Sequence, residues 1–338
     1  MFTYKWSLKD LKEVPKNGLK VFSCFACGGG STMGYKMSGY EVMGCNEIDP
    51  KMMAVYKINH KPKYAYLEPI QTFKGRKDLP QELFNLDILD GSPPCSSFSM
   101  AGNREKDWGK NKVFSEGQAK QVLDDLFFDF IDLAKVLQPK VIVAENVKGL
   151  IAGHAKGYIK KILERLDSIG YETQLFQLNA ATMGVPQKRD RVFFISRRKD
   201  LKLPKIKLEF NEKPILFKEI RNGEGAKPLS PRELKIWKNK MPGESGFSQV
   251  LKRTEDRDSN FSMRFFNDHE TPCTLTTKNN FVVSEEPRRI SPIEIISMSS
   301  FPKDYDFRGT HPRYFCGMSV PPLMIHKISK EIKEQLFP

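Results

Sequence analysis

The stretch Leu86-Asp87-Ile88-Leu89-Asp90-Gly91-Ser92-Pro93-Pro94-Cys95-Ser96-Ser97-Phe98 decides how the chain reads. A short apolar strand over 86–89 ends there, and a rigid two-proline turn then presents a single thiol. Proline fixes φ and has no N–H to donate, so the turn cannot continue as helix or join a sheet ladder. A thiol at the carboxyl end of a strand stands where open α/β sheets bind ligands. Most cysteines are inert core residues, so Cys95 alone does not establish a nucleophile.

Outward from that turn, strand-like and helix-like segments alternate from Leu19 to Ser196. The pattern predicts strands at 21–25, 40–45, 86–89, 141–144, 171–178 and 192–196. Helices are expected from 31, over 52–58, over 119–137 and over 158–169, the last closed by Gly170. Within 119–137, Leu123, Leu126, Phe127, Phe130, Leu133 and Ala134 recur at helical spacing. Such alternation implies a Rossmann-like α/β domain, a mostly parallel sheet with helices on both faces. The rhythm breaks near Arg197-Arg198-Lys199. From 200 to 286 the segments are short and punctuated by Pro204, Pro214, Pro228, Pro231, Pro242 and Pro272, which suggests a smaller, irregular, strand-rich domain. Helices return at 292–299 and 322–336, and the last can pack back on the first domain. The expected division is 1–199, 200–309 and 310–338.

Composition narrows the class. A chain of 338 residues can bury one large core and a smaller one. Its 55 basic against 41 acidic side chains leave a net charge of +14, which points to a polyanionic partner, nucleic acid first. A lysine-rich genome would produce the same balance. The longest apolar runs, such as Val141-Ile142-Val143-Ala144, are too short to span a bilayer. Met1-Phe2-Thr3-Tyr4-Lys5-Trp6 lacks signal-peptide architecture, so a cytoplasmic protein with no membrane partner is expected. The six cysteines are scattered, which argues against a disulfide framework. Cys24-Phe25-Ala26-Cys27 has C-x-x-C spacing, but no second such pair or His pair completes a zinc site, and no metal is expected.

Three further motifs carry chemistry. Gly28-Gly29-Gly30 follows a strand and opens a helix, where a backbone approaches a ligand closely. Glu47 ends the next strand and suits ribose hydroxyls. Met33 stands where a dinucleotide fingerprint needs its third glycine, so an adenosine-type cofactor without a pyrophosphate fits better, S-adenosylmethionine above all. Glu145-Asn146 follows the strand 141–144 on the same sheet edge as Cys95. That pair reads either as a carboxylate for a heterocycle or as a capping Asn with a solvated Glu. In Gln187-Lys188-Arg189-Asp190-Arg191, Gln187, Arg189 and Arg191 alternate onto one face. They suit a base edge or phosphate, or else a surface ion-pair ladder. A zinc deaminase is excluded, because Phe98 replaces the second cysteine of Pro-Cys-x-x-Cys and no His-x-Glu precedes it.

In this order, and with Arg289-Ile290-Ser291-Pro292 and Gly317-Met318-Ser319-Val320-Pro321-Pro322 beyond them, these motifs resemble the cytosine-5 DNA methyltransferases. The resemblance runs from Leu19 to the C-terminus and is least informative between Asp200 and Thr271, where that family carries its variable target-recognition region. It implies that Cys95 attacks C6 of a flipped cytosine, Glu145 holds the ring through N3 and the amino group, Arg191 contacts O2 and Arg189 organises the pocket. It implies S-adenosyl-L-methionine bound by Phe25, Ala26, Gly28 and Gly30, with Glu47 on the ribose. Ile48 and Ile70 would sandwich the adenine, while Pro94, Leu126, Ser319 and Val320 close the site. Residues 99–116, with Trp108, match the position of a mobile loop over DNA.

Three positions depart from the family pattern. Cys27 replaces the first glycine of its Phe-x-Gly-x-Gly turn, Pro69 replaces an adenine-binding Asp with Glu68 beside it, and Met318 replaces an Asn. The expected partner is double-stranded DNA, with a monomeric enzyme and a cognate restriction endonuclease as a candidate companion. The rival readings are a tRNA cytosine-5 methyltransferase and a catalytically silent DNA-binding homologue.

Overall fold

Successive residues of the central strands enter different apolar cores, and that division sets the architecture. Val21, Ile88, Val141, Val143, Phe193 and Ile195 join one core, whereas Phe22, Leu89, Ile142, Ala144, Val192 and Phe194 join another. Side chains alternate across a strand, so two apolar faces demand cover on both sides of the sheet. A computed structural model describes residues 2–94, 125–151, 156–259, 263–277 and 280–338. Cys95, the loop 99–116 and the start of the helix expected from 119 lie outside the described residues.

Seven strands form the main sheet: β1 (Lys20–Cys24), β2 (Glu41–Glu47), β3 (Tyr64–Leu67), β4 (Ile88–Gly91), β5 (Val141–Val147), β6 (Tyr171–Asn179) and β7 (Asp190–Arg198). Their order is β3-β2-β1-β4-β5-β7-β6. The first five are parallel, and β7 runs antiparallel to both β5 and β6. Strand order therefore reverses between β1 and β4, which opens a crevice at their carboxyl ends. β3 is absent from the sequence-based expectation. It is an edge strand whose residues are half-buried or exposed, so it lacks the apolar run that marks its neighbours.

On one face lie α3 (Ile70–Lys74), α4 (Leu126–Leu137) and α5 (Lys156–Ser168). Phe127, Phe130, Ile131 and Ala134 of α4 are buried in that core. On the other face α1 (Gly30–Met37) packs along α11 (Pro322–Leu336), the last helix of the chain. α2 (Pro50–His60) connects β2 to β3 and starts cleanly. Asp49 accepts from Lys51 N–H at 2.8 Å and Met52 N–H at 3.4 Å, with Pro50 at the first helical position.

Between β7 and Glu286 the described residues form α6 (Phe217–Ile220), α7 (Pro231–Lys238), α8 (Phe247–Glu255) and the parallel pair β8 (Met263–Phe266) and β9 (Asn280–Val283). Ile236, Phe247, Val250, Leu251, Met263 and Val282 make a small core of their own. Phe217, Phe266 and Phe281 belong instead to the core shared with α1 and α11. A buried ion pair fixes the return of the chain at α9 (Pro292–Met298), where Arg288 Nη2 and Nη1 lie 2.8 and 3.0 Å from the two oxygens of Glu294. The six-residue α10 (Arg313–Met318) and then α11 complete the molecule.

The contact between α1 and α11 yields a test. A Cβ at Gly34 would lie 2.5 Å from Ile325 Cβ and 2.6 Å from the Pro322 carbonyl oxygen. Gly34→Ala is expected to lower the unfolding free energy by about 1–3 kcal/mol, although alanine favours helix by ~1 kcal/mol. Urea denaturation checks this; an unchanged or raised stability would mean that the two helices do not meet so closely.

Candidate active site

The crevice between β1 and β4 is bordered by the turn after β1 and by Ser92-Pro93-Pro94 after β4. The first turn is conformationally demanding. Phe25 (φ 53°), Cys27 (φ 48°) and Gly29 (φ 76°) are all left-handed. For the two non-glycine residues that conformation costs about 1–2 kcal/mol each. The glycine of the family pattern thus has a physical reason, and Cys27 occupies its conformation with a side chain. Surrounding groups hold the turn. Glu47 Oε2 accepts from Cys27 N–H at 2.7 Å, Asn46 O from Ala26 N–H at 3.3 Å, and Ser319 Oγ from Gly28 N–H at 3.3 Å. Protein neighbours alone are enough to require glycine at positions 29 and 30. A Cβ would lie 2.2 Å from His60 Nε2 at Gly29 and 2.0 Å from the Val320 carbonyl oxygen at Gly30.

The crevice holds a cleft of about 360 Å³. Of the expected cofactor residues, Phe25, Glu47, Ile48, Ile70, Pro94 and Leu126 line it. Ala26, Gly28, Gly30, Ser319 and Val320 lie behind the wall, where the turn packs on the C-terminal segment. Glu47 accepts from the N–H groups of Cys27, Ile48 and Asp49 at 2.7–2.9 Å. Burial pushes its carboxyl up, and those three bonds pull it back. Three of a carboxylate's roughly four lone-pair directions are thereby occupied, leaving room for a hydroxyl donor. Glu68 also lines the cleft, and one of its oxygens is held by Arg76 Nη1 at 3.1 Å. The result is an apolar slot with carboxylates at its rim, a donor set that fits a cationic nucleoside such as S-adenosylmethionine.

The same cleft continues to Glu145, Asn146, Arg189 and Arg191. Glu145 on β5 lies opposite Phe193 on β7, which makes Arg191 its diagonal neighbour on one face. Arg191 Nε and Glu145 Oε1 are 2.7 Å apart, and neither side chain is more than 13 % exposed. Glu145 is therefore not a solvated residue beside a helix cap. Asn146 donates to the Pro93 carbonyl at 3.1 Å and so ties the end of β5 to the proline turn. Cys95 directly follows Pro94, itself part of the lining, and lies outside the described residues.

Of Gln187, Arg189 and Arg191, expected on one face, Arg189 and Arg191 both line the cleft, and the burial of Gln187 and Arg189 argues against a surface ion-pair ladder. Gln187 donates to Met298 O and accepts from Leu275 N–H, both at 3.1 Å. Arg189 donates to the carbonyls of Leu275, Gly317 and Ser319 at 3.1–3.3 Å. Both are buried, and only Arg191 keeps its head group beside Glu145. Burial, assisted by Arg191, brings Arg189 down to about 9, so it stays protonated at neutral pH. Tyr314 and Gly317 also line the cleft and went unread as site residues. A Cβ at Gly317 would lie 2.8 Å from backbone atoms of Thr276 and Thr277, so this glycine admits the end of the 200–277 segment to the cleft wall. Its lack of a side chain was the available signal; Tyr314 offered none.

The model of the family described as "C-5 cytosine-specific DNA methylase" matches residues 19–334. The chain is 27 % identical to the Type II methyltransferase M.FnuDI of Fusobacterium nucleatum over 94 % of its own length and 95 % of that protein's. It is 36 % identical to the Type II methyltransferase M.NgoPII of Neisseria gonorrhoeae, over 55 % of this chain and half of that protein. In fold it is similar to a solved prophage-encoded protein of E. coli, with TM-score 0.68 at 20 % identity over 94 % and 99 % of the two chains.

Beneath the cleft, Asp90 is fully buried and accepts from Ser23 Oγ at 2.7 Å and Tyr35 Oη at 3.2 Å. Burial raises its pKa to about 7, with Glu145 adding to the rise and the hydroxyls opposing it. A raised carboxylate favours the folded state below its unfolded value of about 4, and that contribution is lost as pH climbs through about 7. Asp90→Asn is therefore expected to gain on the wild type between about pH 4 and pH 8, with roughly 4 kcal/mol as a ceiling. Denaturation curves across that range decide; a difference independent of pH would show that Asp90 titrates normally.

Proposed function

Because the chain belongs to the C-5 cytosine-specific DNA methylase family and is an enzyme of that class, we propose how it works and on what. It transfers a methyl group from S-adenosyl-L-methionine to C5 of a cytosine flipped out of a specific duplex DNA sequence. One observation carries the reading: a base-holding pair, Glu145 with Arg191, shares a cleft with Pro94 and with the apolar slot around Glu47, Ile48 and Ile70. Two reactants bound there meet beside the proline turn that bears Cys95. The "Type II methyltransferase" names of the relatives support a role as the modification enzyme of a restriction-modification system.

The chain's own groups divide the work. Cys95 as thiolate adds to C6, and electron density moves to C5. Glu145, fixed by Arg191, accepts from the amino group with one oxygen and, carrying a proton on the other, donates to N3, which stabilises the charge that develops on the ring. Arg191 faces the base at O2, and Arg189 holds the wall on which Arg191 stands. S-adenosylmethionine, when bound, supplies an electrophilic methyl group, held by Glu47 at the ribose and by Ile48 and Ile70 at the adenine. Loss of the C5 proton to a base and expulsion of the Cys95 thiolate then restore the ring. A stacked base cannot enter such a cleft, so the cytosine leaves the duplex first. The segment 200–309, with the exposed Lys235 and Lys238 on α7 and Lys240 after it, serves target recognition, while 1–199 and 310–338 form the catalytic domain.

Radiolabelled S-adenosylmethionine offered with duplex DNA or with tRNA tests the substrate. Label is expected in DNA; label in tRNA alone would overturn the choice, and label in neither would favour a silent homologue. Cys95→Ala is expected to abolish transfer while donor binding persists. Glu145→Gln is expected to lower kcat at least about a hundredfold. A Cys95→Ala protein that still methylates cytosine would remove the assigned nucleophile.

A further inference from the structure

The turn between β1 and α1 keeps two non-glycine residues left-handed, so something must hold it there. Part of the restraint comes from the ribose-binding side, through Glu47 on Cys27 N–H. The rest comes from behind. Tyr305 Oη donates to the Gly28 carbonyl, and His60 Nε2 lies 3.3 Å from that hydroxyl oxygen. The Gly28 backbone also hydrogen-bonds the His60 ring.

Both groups are buried, and neither belongs to the reaction described above. The His60 ring packs against Tyr56 with centroids 4.7 Å apart, directly beneath Gly29, and its Nδ1 is buried with no hydrogen-bond partner among the described residues. Burial, with Lys36 nearby, drives the imidazole well below its ordinary range, so it is a neutral group. The loop that carries Tyr305 is docked to the end of α2 by a reciprocal pair. Asn59 donates to Asp306 O and accepts from Asp306 N–H, both at 2.9 Å. The clamp is thus built by two remote segments and closes on one carbonyl of the cofactor turn.

We propose that Tyr305 and His60 are positioning residues for the methyl donor, clamping the Gly28 carbonyl so that the turn over Phe25, Cys27 and Gly29 keeps the shape the cleft needs. The inference rests on the reading of this cleft as the S-adenosylmethionine site. The clamp compensates for the side chain at Cys27. With glycine there, the left-handed conformation would carry no steric penalty and the turn would need less restraint.

Tyr305→Phe removes one hydroxyl at almost constant volume. Titration calorimetry with S-adenosylmethionine is expected to show dissociation weakened about fivefold, the worth of one hydrogen bond. At saturating donor and DNA, kcat is expected to stay within about twofold, since no reacting atom is touched. Adding Cys27→Gly to Tyr305→Phe is expected to recover most of the lost affinity. If Tyr305→Phe fails to fold, His60→Gln against His60→Leu decides: glutamine keeps an N–H for the Gly28 carbonyl and should bind donor better. Wild-type affinity in Tyr305→Phe, a loss that Cys27→Gly does not reduce, or equal affinity in the two His60 variants would overturn the clamp. A wild-type protein that binds no S-adenosylmethionine would overturn the reading of the cleft itself.

Discussion

Arg189 spends its guanidinium inside the protein, and the shape of the site follows from that. Its donors reach the carbonyls of Leu275, Gly317 and Ser319, while Gln187 bridges Met298 and Leu275. Burying a cation is costly unless it is hydrogen-bonded; the converging carbonyls satisfy both Nη groups, while Nε has no partner among the described residues. Their convergence builds a cleft wall that meets the β1 turn at Ser319. It also leaves Arg191, two residues along β7, as the arginine whose head group meets Glu145.

The part of the cleft formed by the β1 turn is governed by backbone conformation. A left-handed turn brings Cys27 N–H to Glu47, and Glu47 in turn organises the start of α2 through Ile48 and Asp49. One buried carboxylate therefore sets both the turn and the entrance to the helix. The proline turn is secured separately, by the Asn146 amide donating to Pro93 O. Each wall is pinned to the sheet edge by side chains whose partners are main-chain groups, an arrangement that fixes geometry more firmly than ion pairs on a surface.

Much of this was legible in the chain. The alternation of Val21 with Phe22, Ile88 with Leu89 and Phe193 with Phe194 announced a sheet covered on both faces, and the strand ends fell within a few residues of expectation. Glu47, Pro94 and Glu145 were marked by their positions at or after strand ends, and Arg191 by its position just before a strand. What could not be read was which polar groups face inward. Period-2 reasoning put Gln187 and Arg189 on a face with Arg191, yet only tertiary contacts say that carbonyls from segments about 90–130 residues later consume them. Nor could it be read that the glycines at 29 and 30 accommodate His60 and Val320. α7 did carry a signal, since Ser230, Pro231 and Glu233 form a capping box. β3 carried none, because edge strands with half-exposed faces lack periodic apolar residues.

The central claim is that a base and a methyl donor meet in one cleft beside a nucleophilic sulfur. Duplex DNA containing 5-fluorocytosine blocks loss of the C5 substituent, so a protein that adds its thiol to C6 and methylates C5 cannot let go. With S-adenosylmethionine present, a denaturation-resistant protein–DNA adduct mapped by mass spectrometry to the peptide bearing Cys95 is the predicted result. An active enzyme that forms no such adduct, or one attached through another residue, would contradict the account.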